Sequence, residues 1–248
     1  MAQVMIVTGA GRGIGAAIAR LAGKRGYDVC VNYGKSKGPA DEVVAAIRAG
    51  GGKAIAVQAD VSNDDAVKHL FAEVDKQLGA VNVLINNAGI INRQCRADEM
   101  TPALLAEIFA QNTFSVFYAT REALKRMSTR HGGKGGAIVT ISSAAARHGG
   151  LPMETHYAAS KGALESMTIG LAREVGLEGV RVNAIRPGLI NTTIHEAHGG
   201  QATIKAAAPT IPLGRAGTVE ELAEAAVWLA SDAASYIHGA IIDVTGGR

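Results

Sequence analysis

Short β-branched runs alternate along the chain with longer stretches in which apolar residues recur at helical spacing. Val4 to Thr8 predicts a buried strand and Ile14 to Arg25 a helix. Val29 to Tyr33 predicts the second strand. Pro39 sits where helix starts tolerate proline, ahead of a helix to Ala49 that Gly50-Gly51-Gly52 ends. A third strand is expected over Ala54 to Gln58. Ser62 and Asp65 then give an S-x-x-D capping pattern for a helix through Leu78. Val81 to Asn86 predicts the fourth strand. Thr101-Pro102 reads as an N-cap followed by proline at the first helical position, and helical periodicity continues, with a break, to about Met127. After a loop over Gly132 to Gly136 come a strand from Ala137 to Ser142 and a helix from about His156 to Leu177. A strand over Arg181 to Ile185, a helix capped by Thr218 and Glu221 that ends near Ala230, and a strand over Ala240 to Val244 complete the series.

The order is β-α-β-α to the end, and nearly all the strands are continuous apolar runs. That pattern predicts a mostly parallel seven-stranded sheet with helices on both faces. No linker divides the chain, so residues 1–248 are expected to form one doubly wound α/β domain. Ligands of such sheets bind at the carboxyl ends of strands, near the point where strand order reverses.

Composition agrees: 48% hydrophobic and 19% charged residues supply a core, and only 4% are aromatic, so Ala, Val, Ile, Leu and Gly must pack it. The net charge of +3 comes without a long block of one sign, which argues against a nucleic-acid partner. A basic cluster at Arg121, Lys125, Arg126, Arg130 and Lys134 reads as a solvated helix face, with docking of an acidic carrier protein as the functional alternative. Two cysteines, Cys30 and Cys95, imply no disulfide framework. No basic leader precedes the first strand and no apolar run spans a membrane, so a cytoplasmic protein without a membrane partner is expected.

Candidate chemistry follows the strands. After the first strand stands Thr8-Gly9-Ala10-Gly11-Arg12-Gly13-Ile14-Gly15, a T-G-x-x-x-G-x-G turn. Its glycines permit positive φ and close approach, and the helix start offers free N–H groups to a pyrophosphate. The second strand ends Asn32-Tyr33-Gly34-Lys35-Ser36-Lys37, with no acid to hold a ribose 2′-hydroxyl. Asn32 does not repel a 2′-phosphate, and Arg12, Lys35, Ser36 and Lys37 are suited to bind one. NADP(H) is therefore the expected cofactor, with NAD(H) possible. Asp60-Val61 follows the third strand; Asp60 either accepts from an adenine amino group or simply shapes the turn. Tyr157 and Lys161 are four apart, on one face of a helix, where an ammonium favours the phenolate. Ser142 and Ser143 end the fifth strand, and alternation lets only one of them face a cleft.

Together these pieces resemble the short-chain dehydrogenase/reductase family. The resemblance rests on Thr8 to Gly15, Asp60-Val61, Asn86-Asn87-Ala88-Gly89, Asn112, Ile138 to Ser143, Tyr157-Ala158-Ala159-Ser160-Lys161 and Arg186-Pro187-Gly188, in the expected order. The ending, Gly239 to Gly247, is similar to the family's tail. The wording around Ser142 to Ser160 is most similar to sugar-dehydrogenase-like and uncharacterised bacterial members. The resemblance implies a Rossmann-type fold, a homotetramer, and hydride transfer between a nicotinamide dinucleotide and a small carbonyl or alcohol substrate.

It further implies that Tyr157 exchanges the proton, Lys161 lowers the Tyr157 pKa and holds the nicotinamide ribose, Ser143 orients the substrate oxygen, and Asn112 binds a water next to Lys161. Asn87, Ala88 and Gly89 would support the adenosine side. Pro187, Gly188, the Ile190 backbone and Thr192 would lie at the nicotinamide. The chain departs from the family at Thr140, where Asn is common. The Ser143 to Tyr157 interval of 14 is another departure, since one residue fewer is usual; that segment bears on substrate.

Residues 190–212 read as a substrate lid, and His195 and His198 within it as exposed loop histidines. No metal site is expected. His156 either shapes the pocket or starts the helix, Cys95 reads as structural, and Trp228 as core or subunit interface. Two other functions stay open: a 3-oxoacyl-[carrier protein] reductase, for which the basic cluster with Arg173 would dock the carrier, and a catalytically silent nucleotide-binding protein.

Overall fold

The computed structural model describes residues 2–91, 93–192 and 200–248. Its strands are β1 (Val4–Val7), β2 (Asp28–Tyr33), β3 (Ala54–Gln58), β4 (Val81–Asn86), β5 (Gly136–Ile141), β6 (Val180–Pro187) and β7 (Ile241–Val244). All pair in parallel in the order β3-β2-β1-β4-β5-β6-β7. The chain lays down β1, β2 and β3 outward in one direction, then returns to place β4 against the other side of β1. The reversal therefore falls between β1 and β4.

Period-two alternation sends neighbouring residues to opposite faces. Met5 and Val7 of β1 join Val29, Val31, Val83 and Ile85 in a core beneath α1 (Gly13–Lys24), α2 (Lys37–Ala49) and α9 (Val219–Ala230). Val4 and Ile6 join Ile55, Leu84 and Val182 on the other face. There α3 (Asp64–Gln77), α5 (Ser115–Met127) and α7 (Thr155–Val175) supply Leu70, Phe71, Ala123 and Ala172. Because both faces are covered, the inner strands are mostly apolar, and polar residues within them such as Asn32, Asn86 and Asn183 are buried and hydrogen-bonded.

The helix signals mostly hold. The Thr101 side chain accepts from Leu104 N–H at the start of α4 (Pro102–Phe109), and Thr218 and Glu221 cap α9 reciprocally. The expected break after α4 is a π-type turn over Ala110–Phe114 leading into α5. The S-x-x-D pattern is corrected: Asn63, not Ser62, caps α3 by accepting from Ala66 N–H at 2.9 Å. Ser62 is drawn back instead, donating its hydroxyl to Asp60 at 2.7 Å. Two short helices carry no signal in the sequence, α6 (Ala145–His148) and α8 (Gly200–Ala207). Trp228 lies on α9 but is 43% exposed, so it is not a core residue.

Candidate active site

The β1–α1 turn sits at the strand-order reversal and is held from both sides. Thr8 Oγ1 accepts from the N–H groups of Asn87 and Ala88 at 2.9 and 3.0 Å. The Asn87 amide donates back to the carbonyls of Thr8 and Gly9 at 2.9 and 3.2 Å. This lacing leaves no room for side chains. Gly9 has φ +62°, and a Cβ on Gly15 would lie 2.5 Å from Asn87 Nδ2 and 2.7 Å from the Gly9 carbonyl. The expected phosphate turn is thus a cradle whose shape only glycine permits at these positions. A dinucleotide fits it: the backbone is bare, and the start of α1 points its unpaired N–H groups into the turn.

At the far end of the turn, Asn32 is fully committed to the scaffold. Its Nδ2 donates to the Val57 and Ala59 carbonyls and its Oδ1 accepts from Gly9 N–H at 3.2 Å, tying β2, β3 and the turn together. Tyr33 is buried beside it, whereas Arg12, Lys35 and Ser36 are exposed around the same edge. Lys37 is paired with Asp41 at 2.5 Å. Asp60 is exposed after β3, and Val61 is buried. Burial pushes the Asp60 carboxyl up, but hydrogen bonds from Ser62 and Gln111 and the charge of Lys35 outweigh it and leave Asp60 below its ordinary range.

Beyond the turn, a cavity of about 530 Å³ opens at the carboxyl ends of β4, β5 and β6. Ile14, Asn87 and Gly89 line one end. Ser143, Tyr157 and Lys161 line its middle, with Pro187, Gly188, Ile190 and Thr192 along the β6 side. Both strand-end serines touch this region, and they divide as alternation requires. Ser143 faces the cavity and hydrogen-bonds the Tyr157 phenol, while Ser142 turns away to Glu165 at 3.0 Å.

Lys161 is 4% exposed and its ammonium donates to the Ile141 carbonyl at 2.9 Å. Burial pushes its pKa down to about 8. Asn112, wholly buried in the π-type turn, stands behind it. Its carboxamide accepts from Ile90 N–H at 2.7 Å and donates to the Ile90 carbonyl at 2.8 Å and to Ser160 Oγ at 3.0 Å. A Cβ on Gly89 would come within 3.1 Å of Asn112 Oδ1 and 3.3 Å of Lys161 Nζ. Burial raises the Tyr157 pKa, the Ser143 hydrogen bond lowers it, and the charge of Glu154 raises it further.

Sequence reasoning passed over Glu154 and an ion-pair chain beside the site. Glu154 is buried on the cavity wall. Glu165 binds Arg186 through two contacts of 2.6 and 2.7 Å; Arg186 reaches Asp243, and Asp243 reaches Arg147 on α6 at 3.0 Å. No spacing rule signals either feature.

His156 is buried at the start of α7 and its pKa is lowered by that burial. Cys30 and Cys95 are both free and buried, which fits the structural reading. His195 and His198 lie outside the described residues. Among the described residues no cluster of three potential metal ligands occurs, and no helix is long and apolar enough to cross a membrane.

A family model described as enoyl-(acyl carrier protein) reductase matches residues 9–248. Among similar proteins, the uncharacterised oxidoreductase YgfF of Escherichia coli (strain K12) is 42% identical over 99% of both chains. Versicolorin reductase stcU of Emericella nidulans is 38% identical, covering 99% of this chain and 95% of its own. The L-rhamnose 1-dehydrogenase (NAD(P)(+)) of a Sphingomonas species is 37% identical with the same coverage. With a match over nearly all of its length and relatives that are reductases and dehydrogenases, the chain belongs to the short-chain dehydrogenase/reductase family and is an oxidoreductase acting on CH–OH groups.

Proposed function

We propose that the protein is an NADP(H)-preferring oxidoreductase that interconverts a small carbonyl compound and its alcohol, with Tyr157 as proton donor in reduction and acceptor in oxidation. The observation that carries this reading is that Ser143, Tyr157 and Lys161 share one cavity with Asn87, Gly89, Ile190 and Thr192 at the strand-order reversal. When bound, the nicotinamide supplies or takes up the hydride. The chain's own residues do the rest. Gly9, Gly11, Gly13 and Gly15 leave room for the pyrophosphate, and Asn87, Ala88 and Gly89 shape the wall beside it. Asp60 and Val61 flank the adenine end. Pro187, Gly188, Ile190 and Thr192 fix the nicotinamide end.

Ser143 donates to the substrate oxygen and hands its alignment to Tyr157. Lys161 places a buried cation where phenolate develops, and Asn112 fixes the backbone behind it. The charge of Glu154 works against phenolate, so the protein by itself holds Tyr157 as the acid that reduction requires.

The NADP(H) preference rests on Arg12, Lys35 and Ser36, exposed at the rim of β2 with no carboxylate between them, as the fully bonded Asn32 is neutral. Residues 190–212 are assigned as the substrate-side lid of a single domain. A homotetramer is supported by half-exposed Phe114 and Phe117 near the start of α5 and by Ile169 on α7, apolar surface that a subunit interface would cover. Against carrier docking stands the pairing of Arg121 with Asp64, Lys125 with Glu122, and Arg126 with Asp75 and Glu122, which offsets three charges of the basic cluster. Titration of NADPH and NADH by fluorescence tests the cofactor assignment. Tighter NADPH binding supports it, and binding of neither nucleotide overturns the reading.

A further inference from the structure

We infer that Arg147 is a positioning residue for the reaction: by tying α6 to β7 it holds the Ala145 N–H on the Ser143 hydroxyl, and so aims the Ser143 proton at Tyr157 and the substrate oxygen. This rests on the hydride-transfer reading above and adds to it a residue that does not itself line the cavity.

Ser143 has a neighbour on each side. Its Oγ accepts from Ala145 N–H at 3.1 Å, and it hydrogen-bonds the Tyr157 phenol. A serine hydroxyl carries one proton and two lone pairs. A backbone N–H can only donate, so with Ala145 on one lone pair the proton turns away, towards the phenol and the cavity. Were the Ala145 N–H to drift off, the hydroxyl could rotate, and its proton would be aimed only part of the time. The direction of the Ser143 proton therefore depends on where the start of α6 stands. Ala144 N–H, bonded to the Pro187 carbonyl at 2.9 Å, fixes the chain one residue earlier.

The four-residue α6 is too short to be held by its own hydrogen bonds, so its contacts must place it. On the inner face Ala145 is buried against Ile108, Tyr157 and Ala158. Arg147 follows two residues later, about 200° around the helix, and so leaves on the opposite side. Its guanidinium donates to Asp243 Oδ2 at 3.0 Å and to the Arg248 carbonyl at 3.1 Å. Asp243 is a firm anchor, because its other oxygen meets Arg186 at 3.3 Å and Arg186 is clamped by both oxygens of Glu165. Glu165 in turn accepts from Ser142 at 3.0 Å. The chain of ion pairs thus runs from Ser142, which faces away from the cavity, round to α6, which holds Ser143 towards it. The Arg147 side chain is half exposed, so its ion pair adds little to stability. What it supplies is a fixed point on the outer side of α6, and small misplacements at a reacting centre are costly.

The test uses the full chain with its tyrosines carbon-13 labelled at Cζ, read by NMR at pH 7 without substrate. Of the five tyrosine resonances, the one lost in Tyr157→Phe belongs to Tyr157, and the other four report that each variant is folded. Ser143→Ala should displace the Tyr157 resonance. Arg147→Ala should displace it in the same direction, and Arg147→Lys, which keeps the cation, should return it part of the way. In the Ser143→Ala background, Arg147→Ala should add nothing, because its effect passes through the Ser143 hydroxyl. A general packing role would move the resonance in both backgrounds alike. A Tyr157 resonance that Arg147→Ala leaves in place, or moves equally with and without Ser143, overturns the proposal, as does one that Ser143→Ala leaves in place. No turnover enters this measurement, so its failure falls on the role of Arg147 and leaves hydride transfer standing. Full turnover by Tyr157→Phe would instead take down the hydride-transfer reading, whatever the resonance does.

Discussion

Lys161→Met should make the cofactor-free protein more stable at pH 7. Lys161 is 4% exposed, and among the described residues its ammonium donates to the neutral Ile141 carbonyl at 2.9 Å. Burial moves its pKa from 10.5 to about 8. At about 1.4 kcal/mol for each factor of ten, holding the charged form in the fold costs roughly 3 kcal/mol. The sign follows from proton counts. Between about 8 and 10.5 the unfolded chain keeps the proton that the folded chain has lost, so stability rises with pH across that window. Below it the whole cost is present.

Methionine keeps the length of the side chain and removes the charge, at the loss of one hydrogen bond worth about 1 kcal/mol. The net gain is about 2 kcal/mol, or roughly 4–8 °C in Tm for a chain of this size. Scanning calorimetry at pH 7 and pH 10 reads it: the gain should be present at the first and largely gone at the second. A variant less stable than wild type at pH 7, or a gain indifferent to pH, refutes the reasoning.

Three other changes probe separate parts of the account. Gly15→Ala drives a Cβ into Asn87 Nδ2 and the Gly9 carbonyl, and overpacking of about 1–3 kcal/mol should weaken NADPH binding about tenfold or more by fluorescence titration; unchanged affinity would show that the turn yields. A double-mutant cycle of Glu165→Gln and Arg186→Met should report a coupling of about 1.5–3 kcal/mol in urea unfolding, because the pair is two-pronged and mostly buried. Coupling near zero would mean that Asp243 alone satisfies Arg186. Asn63→Ala should cost about 1 kcal/mol of stability by removing the α3 cap, and the reverse ranking, Ser62→Ala being the more damaging, would contradict the capping assignment.

The sheet was legible because its inner strands are buried on both faces: Val4–Val7 is wholly apolar, and Val81–Asn86 is apolar but for Asn82 and Asn86. The caps at Thr101 and Thr218 were legible because each stands alone before its helix. At α3 two good capping residues are adjacent, and the choice between Ser62 and Asn63 was made by Asp60, which captures the Ser62 hydroxyl. Asn32 shows a second limit. The sequence reveals a polar residue at a strand end, but not that three backbone groups occupy its amide. The four-residue α6 is too short for periodicity to register. Glu154 was invisible for a related reason: a glutamate in a loop reads as solvated, yet this one is buried on the cavity wall. Arg121 and Arg126 were legible as charged positions on α5, but their pairing depends on Asp64 and Asp75 of α3, which sequence order does not bring near.

The most direct test of the central claim is steady-state turnover of Tyr157→Phe beside wild type, with NADPH affinity measured on the same samples. The account predicts that the variant binds NADPH as wild type does and loses turnover by a factor of at least about 100, as expected for removal of a general acid. A Tyr157→Phe protein that binds NADPH and turns over at the wild-type rate would contradict it.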